Sequence, residues 1–597
     1  MQKIIDIATG AFLTGIVLSY LTAERIFMNE AASCFTILFT GIAGICRLSF
    51  LFFYKNSTKH SIKNLSITAI DLAFALFLFW IILNSWIVKK WEIDPFFWHK
   101  WGAVAGFYLL VRLTAQKKFL LYTLVLSGII QTVIATGQSR GLLSGNHLMF
   151  DVTGSFGNPG QLGGYLAVCM TVSLCLCIEG AKARRRESAN LRPDASFRTG
   201  LLLAVSALQG FGLYLADSRA GWVGLFAGLV VGMFLIARKH ESANLRPDIS
   251  FRAFALSRLR AFALFAFFAV GILFLYNYRP KSADARLLIW RVSCDMITDR
   301  PLVGHGAGAF NEKYMLYQAD FFEKHPGSKF AVVADNAGYP FNELLNTAIC
   351  FGLVGVILLL FLLWTALSAS SAFKSASDTT SLFKAGLSAW LAFAMFSYPS
   401  GVFPLLLLPV VFLGGIESEA KLPFRLPRWF YGVIILFLTV ILFQVWQDTA
   451  KLKRLSGACM NLHEDTTPGM DEFEHAYDSM KSNPTFNNYY MAWLESQPAE
   501  RRIAKMKDLL PSCGGYYMKG NLYLETGDME QAEQAFRTAC NMVPTRIRPK
   551  YALWQLYVEK GDTAAAKEMA QTILDCPVKA ESIYTLKVKK EMREYGK

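Results

Sequence analysis

Apolar runs of about twenty residues recur along this chain, and they constrain its fold more than any other feature. That length crosses the hydrocarbon core of a bilayer as a helix. Inside hydrocarbon every backbone N–H and C=O needs an internal partner, so such runs fold as helices packed on helices. The runs 5–22, 33–53, 66–88, 119–137, 160–178, 200–216, 220–237, 342–366 and 429–446 are clear, and 97–113, 261–276, 383–398 and 402–416 are weaker. The pattern predicts an all-α, polytopic membrane helix bundle of about 12–13 spans. Hydrophobic residues make up 53% of the chain and mean hydropathy is +0.33, both high for a soluble chain of this length. The first run lacks a small-residue cleavage site and reads as a retained span rather than a signal peptide.

A net charge of +15 raises nucleic acid as a partner, but the placement of the charge argues against it. Basic residues crowd the loops KNSTKHSIKN (55–64), AKARRRESANLRPDASFR (181–198), ARKHESANLRPDISFR (237–252) and KLPFRLPR (421–428). Alternating spans put these loops on one side with the N-terminus, as the positive-inside rule requires. The expected location is the inner (cytoplasmic) membrane of a diderm bacterium, multi-pass, with membrane lipids and no nucleic acid as partners. Four segments then face the periplasm. They are the loop around 138–159, the hairpin tip at Arg219, a long loop over 277–341, and everything after about 447.

Two domains follow: a transmembrane domain over 1–446, including the long loop, and a periplasmic helical-repeat tail over 447–597. In the long loop, RLLIWRVSCDMI (286–297) spaces its apolar residues as an amphipathic helix, and GHGAGAF (304–310) reads as a flexible turn. In the tail, Leu522-Tyr523 recurs as Leu556-Tyr557, Gly527-Asp528 as Gly561-Asp562, and Ala532 as Ala566. That period of 34 reads as tetratricopeptide repeats. Such stacks need about three units, so 455–515 is expected to hold a degenerate repeat. The tail either docks a protein partner or shields the membrane domain. ESANLRPDASFR (187–198) and ESANLRPDISFR (241–252) look like a recent duplicated insertion without chemistry. The eleven cysteines show no metal-ligand spacing, and neither a metal nor a cofactor is expected. Cys459, Cys513, Cys540 and Cys576 could pair in an oxidising compartment, which the sequence leaves open.

Two short stretches carry candidate chemistry. VTGSFGNPGQLGGYLAV (152–168) joins a glycine-rich turn to Asn158-Pro159 at the start of a span. Helix capping and small-residue packing account for it locally, while the N–H groups of that end could also face an anion. DSRAGWVGLFAGLVV (217–231) places Arg219 at the lip of a hairpin beside hydrocarbon, where a charge is costly and usually functional. Arg219 reads as a phosphate ligand, a headgroup anchor or a partner of Asp217. Of the loop arginines, Arg291 and Arg300 read as solvated charges, and Arg286 remains a phosphate candidate.

The FGNP segment, the SR hairpin, RLLIW…DMITDRPLVGHGAGAF and GYPFNELLNTAICFGLVGVILLL (338–360) together resemble the O-antigen ligase family of membrane glycosyltransferases, over roughly residues 65 to 415. The resemblance implies a glycan donor on undecaprenyl diphosphate and an acceptor hydroxyl, for an O-antigen ligase that of lipid A core. It implies that Arg219 and Arg286, with Asn158, hold the diphosphate, and that Asn342 belongs to the catalytic junction. Relatives of similar shape glycosylate proteins or polymerise polysaccharide, and both remain alternatives. The family's junction carries a histidine, whereas this chain has Tyr339-Pro340-Phe341-Asn342-Glu343. The base is then Glu343, His305 or His325, or none is needed. A non-catalytic envelope scaffold using its repeats is the reading from a different class. A transporter is disfavoured, Asp71 being the clear acid in an early span.

Overall fold

A computed structural model describes residues 2–22, 26–53, 65–147, 149–186, 193–241, 280–369, 379–417, 422–424, 428–463, 470–506, 509–577 and 582–595. The span expected at 261–276, the basic loop 55–64 and the duplicated segment from 242 onward lie outside these residues. Every other expected run coincides with a helix. Among the described residues seven helices are long and apolar enough to cross a membrane: Met28–Cys46, Ala69–Lys89, Lys117–Ser139, Pro159–Ala181, Arg219–Ile236, Glu343–Ser368 and Gly432–Met460. Asp6–Ile16 and Phe403–Gly415 are shorter apolar helices. The chain is an all-α, multi-pass membrane protein. Its extended structure, among the described residues, is a ribbon pairing Leu65–Ile67 with Leu422–Phe424 and one isolated bridge, His147 to Phe150.

The chain divides into two compact units. The first comprises 1–80, 96–277 and 357–456. The helix Pro159–Arg186 is its centre, packed against Lys117–Ser139, Pro193–Leu215, Arg219–Glu241 and Thr379–Ala394. Leu162, Tyr165, Leu166, Cys169 and Val172 on it are fully buried. Close approach comes from Gly221, Gly224, Gly228 and Gly232, one face of the Arg219 helix. A methyl group there would sit 2.7 Å from Gly163 O, 2.8 Å from Ala389 O, 2.6 Å from Ala389 Cβ and 2.5 Å from Cys175 Sγ respectively. Lipid gives no hydrophobic push between spanning helices, so such small-residue faces supply the van der Waals contact instead. Asp71 turns out to be structural. Its carboxylate accepts from Arg112 Nε at 2.8 Å, Arg112 Nη2 at 2.9 Å, Tyr108 OH at 2.6 Å and Thr68 N at 2.8 Å.

The second unit comprises 81–95, 278–356 and 457–597, so the long loop shares a unit with the tail. The helix expected at 286–297 runs Pro280–Asp299 and buries Leu288, Ile289, Val292 and Met296. The helices Cys513–Glu525 and Met529–Met542, then Ile547–Glu559 and Thr563–Asp575, form the two hairpins read from the period. At each turn the glycine takes a left-handed φ, +80° at Gly527 and +74° at Gly561. The next residue caps the following helix: Asp528 Oδ1 accepts from Gln531 N and Asp562 Oδ1 from Ala565 N, both at 3.0 Å. Over 455–515 the chain forms the helices Met470–Met480, Pro484–Glu495 and Ala499–Met506.

Candidate active site

In the first unit the FGNP turn is held from one side by two glutamines of the helix Lys117–Ser139. Gln138 Oε1 accepts from Thr153 N at 2.9 Å and Gly154 N at 2.7 Å, and its Nε2 donates to Ser144 O and Gly154 O. Gln131 takes Ser155 N at 3.0 Å and donates to Ser155 Oγ at 2.9 Å. Asn158 then caps the helix that starts at Pro159, its Oδ1 accepting from Gly160 N at 2.8 Å. The SR hairpin meets that first turn directly. Ser218 Oγ donates to Gly160 O at 3.4 Å and accepts from Gly221 N at 3.2 Å, capping the helix Arg219–Glu241. Asp217, at φ +46°, makes the bend before it. Two helix N-termini thus adjoin, one introduced by Asn158 and the other opened by the half-buried Arg219. The positive ends of the two helix dipoles suit an anion. The turn after Thr379–Ala394 also reaches this end, since Gln161 Nε2 donates to Tyr398 OH at 3.4 Å.

In the second unit the structure brings Arg286 against Phe341, the residue that precedes Asn342 and Glu343. The Arg286 guanidinium lies over the Phe341 ring, 5.1 Å from its centroid, and its Nη1 donates to Ser282 Oγ at 3.2 Å. Trp290, one helical turn further on, donates its indole N–H to Pro340 O at 3.0 Å. Phe341 has φ +53°, a left-handed conformation that costs a non-glycine residue on the order of 1 kcal/mol. Asn342 caps the next helix through Leu344 N at 2.9 Å and Leu345 N at 3.1 Å. Glu343, 8% exposed, opens that helix and accepts from Asn346 Nδ2 at 3.3 Å. A carboxylate there is favoured by the helix dipole.

His305 occupies a different place. GHGAGAF is not a flexible turn: its backbone pairs with the middle of the helix Glu343–Ser368. His305 N donates to Ile349 O at 2.8 Å, Gly306 N to Cys350 O at 2.9 Å, and Leu353 N back to Pro301 O at 2.8 Å. That helix breaks at Gly352, with φ +66° and ψ −171°. The His305 ring is buried between Met296 O, 2.7 Å from Nε2, and Lys313 Nζ, 3.2 Å from Nδ1. A carbonyl needs a donor and an ammonium needs an acceptor, so the neutral tautomer protonated on Nε2 satisfies both. Burial, reinforced by Lys313 and Arg300, lowers the pKa of His305, against the bond to Met296. His325 caps a helix end, its Nδ1 donating to Phe321 O at 2.9 Å. Arg291 and Arg300 are exposed.

Several members of these clusters escape a sequence reading. Gln131 and Gln138 leave a trace, as amides inside an apolar run. Phe341 and Trp290 leave none, because a left-handed backbone and an arginine–aromatic contact across some fifty residues are tertiary facts.

Comparison with known proteins adds the family. No curated protein matches the chain. The O-antigen ligase family model matches residues 203–360, which contain Arg219, Arg286, His305, Asn342 and Glu343 but not Asn158. A tetratricopeptide-repeat model matches residues 514–545, the first of the two hairpins. The chain therefore joins, on one multi-pass membrane polypeptide, a segment similar to the O-antigen ligase family to a tail that matches a tetratricopeptide repeat.

Proposed function

We propose that this protein transfers a glycan from undecaprenyl diphosphate to an acceptor hydroxyl, that of lipid A core, at the periplasmic face of the inner membrane. The observation that carries the reading is Arg286 seated on Phe341, directly before Asn342 and Glu343 in the chain, inside the segment that matches the O-antigen ligase model. In the reaction the acceptor oxygen forms a bond to the anomeric carbon, whose bond to the diphosphate oxygen breaks. The lipid diphosphate leaves with that electron pair, and the hydroxyl proton passes to a base. Arg219 and Arg286 are assigned to the diphosphate, because a guanidinium presents paired donors to phosphate oxygens. Asn158 shapes the turn beside Arg219. Glu343 is assigned as base. It lies in the first turn after Asn342, whereas both ring nitrogens of His305 are already engaged.

A charge-stabilising role for the arginines predicts a specific pattern. Purified protein in vesicles, given a lipid-linked glycan and lipid A core, should lose transfer by roughly 10²–10³-fold in Arg219→Ala and in Arg286→Ala. Lysine at either position should rescue poorly, since it lacks the planar fork. Retention of full transfer by both alanine variants would place the diphosphate elsewhere. Absence of transfer by the native chain from any lipid-linked donor would turn the reading to an envelope scaffold.

A further inference from the structure

The tetratricopeptide repeat is already engaged by its own chain. The loop helix Ala309–Lys324 packs against Met529–Met542, the second helix of that repeat. Gln318 on the loop helix is 1% exposed and links three segments. Its Nε2 donates to Met542 O at 2.5 Å and to Asp335 O at 3.2 Å, and its Oε1 accepts from Tyr314 OH at 2.8 Å. Met542 ends its helix, so its carbonyl is among those with no partner inside the helix. The same holds for Cys513 N, which opens the repeat's first helix and donates to Asn336 Oδ1 at 3.3 Å. Asp335 pairs with Arg546, the residue before the next helix, at 3.2 Å. Loop residues thus complete the hydrogen bonding at two helix ends of the repeat. A transient dock for a separate protein would leave those groups to water.

The gripped segment connects to the candidate chemistry on both sides. Lys313, five residues before Gln318, holds His305 and with it the turn paired to Ile349–Leu353. Asn336 lies six residues before Asn342. We propose that the repeat is an internal brace: its partner is the long loop of the same chain, and its work is to hold Arg286, Asn342 and Glu343 in register. The activity part of this inference rests on the transferase reading above; the packing part does not.

The test uses the full chain in vesicles and two kinds of variant. Gln318→Ala removes the buried link. Asp335→Arg and Arg546→Asp, singly and together, alter an exposed pair whose loss leaves the fold intact. Hydrogen exchange should rise in Gln318→Ala over 309–336, and also over 280–299 and 338–345. Turnover should fall by roughly ten- to a hundredfold by the same factor for every acceptor, water included, with the acceptor KM unchanged. Each single charge reversal should lower turnover less, and the double reversal should restore it. A loss confined to one acceptor and expressed in KM would overturn the brace in favour of acceptor docking. So would wild-type exchange over 280–299 and 338–345 in Gln318→Ala, a readout that stands even if the native chain transfers nothing.

Discussion

Two turns do similar mechanical work in the two units, by different means. The FGNP turn of the first unit is pinned by side chains. Gln131 and Gln138 reach out of an apolar helix and supply the partners that the Thr153–Ser155 backbone lacks. The 301–306 turn of the second unit is pinned by backbone, exchanging bonds with a helix that opens at Gly352 to receive them. Membrane-embedded or buried backbone polar groups must be satisfied either way. The difference lies in what a mutation can reach. A side-chain pin is removed by deleting an amide. A backbone pin is broken only by adding an atom where none fits.

The largest expected effect is therefore at Gly352. A Cβ there would lie 2.1 Å from Leu302 O, and its φ of +66° with ψ −171° is a conformation essentially reserved for glycine. Gly352→Ala should cost on the order of 4 kcal/mol or drive the 301–306 turn out of its seat. Thermal unfolding in detergent and protease sensitivity of the long loop will report this. Wild-type values for both would mean that the ladder is dispensable and the contrast between the units is wrong. Next in size is Gln138→Leu, which strands Thr153 N and Gly154 N. Each stranded donor costs about 1–3 kcal/mol, so a total of roughly 3 kcal/mol is expected, with loss of transfer because Asn158 and Ser218 depend on that turn. If Gln138→Leu proves harmless while Gln131→Leu does not, a single amide carries the pin.

Phe341 sharpens the comparison at smaller cost, since it bears on one cation rather than on a turn. An arginine over an aromatic face gains about 0.5–2 kcal/mol, more when desolvated. Phe341→Leu should lower kcat roughly fivefold while leaving the melting temperature within a degree or two, and Phe341→Trp should retain activity. Equal losses in both would assign the residue to packing alone.

Much of the first unit is legible in the sequence because its physics is one-dimensional. Apolar run length acts over neighbouring residues, and it places each described span. The tail is legible for a related reason: Gly527-Asp528 and Gly561-Asp562 are local turn chemistry repeated at a fixed period. The candidate site is legible only as motifs. Arg219, Asn342 and Glu343 stand out by position along the chain, but Phe341 beneath Arg286 depends on a fold that brings residues 286 and 341 together. His305 shows the converse failure. A histidine in a glycine-rich loop suggests freedom, yet three left-handed glycines, at φ +71°, +93° and +76°, shape a turn locked to a helix.

The smallest effect concerns that histidine and separates structure from catalysis. The ordinary histidine pKa is 6.5, and burial beside Lys313 and Arg300 depresses that of His305 in the folded chain. Above about pH 6.5 the ring is neutral in both folded and unfolded states and contributes nothing to pH dependence. Below it the unfolded chain takes up a proton that the folded chain refuses, so the unfolded state binds more protons and stability falls as the pH is lowered. The loss approaches about 1.4 kcal/mol per pH unit until the folded pKa is reached. In His305→Gln an amide can still donate to Met296 O, but nothing titrates. Between pH 7 and 5 the melting temperature of the variant should therefore decline less steeply than that of the native chain. Transfer at pH 7.5 should stay within a few-fold, because the ring holds a turn and does not accept the acceptor's proton. A fall of 10²–10⁴-fold at pH 7.5, the size of a lost general base, would move that role from Glu343 to His305. It would also require the His305 turn to leave Ile349 and Cys350 during turnover, making the backbone-pinned region the mobile one of the two.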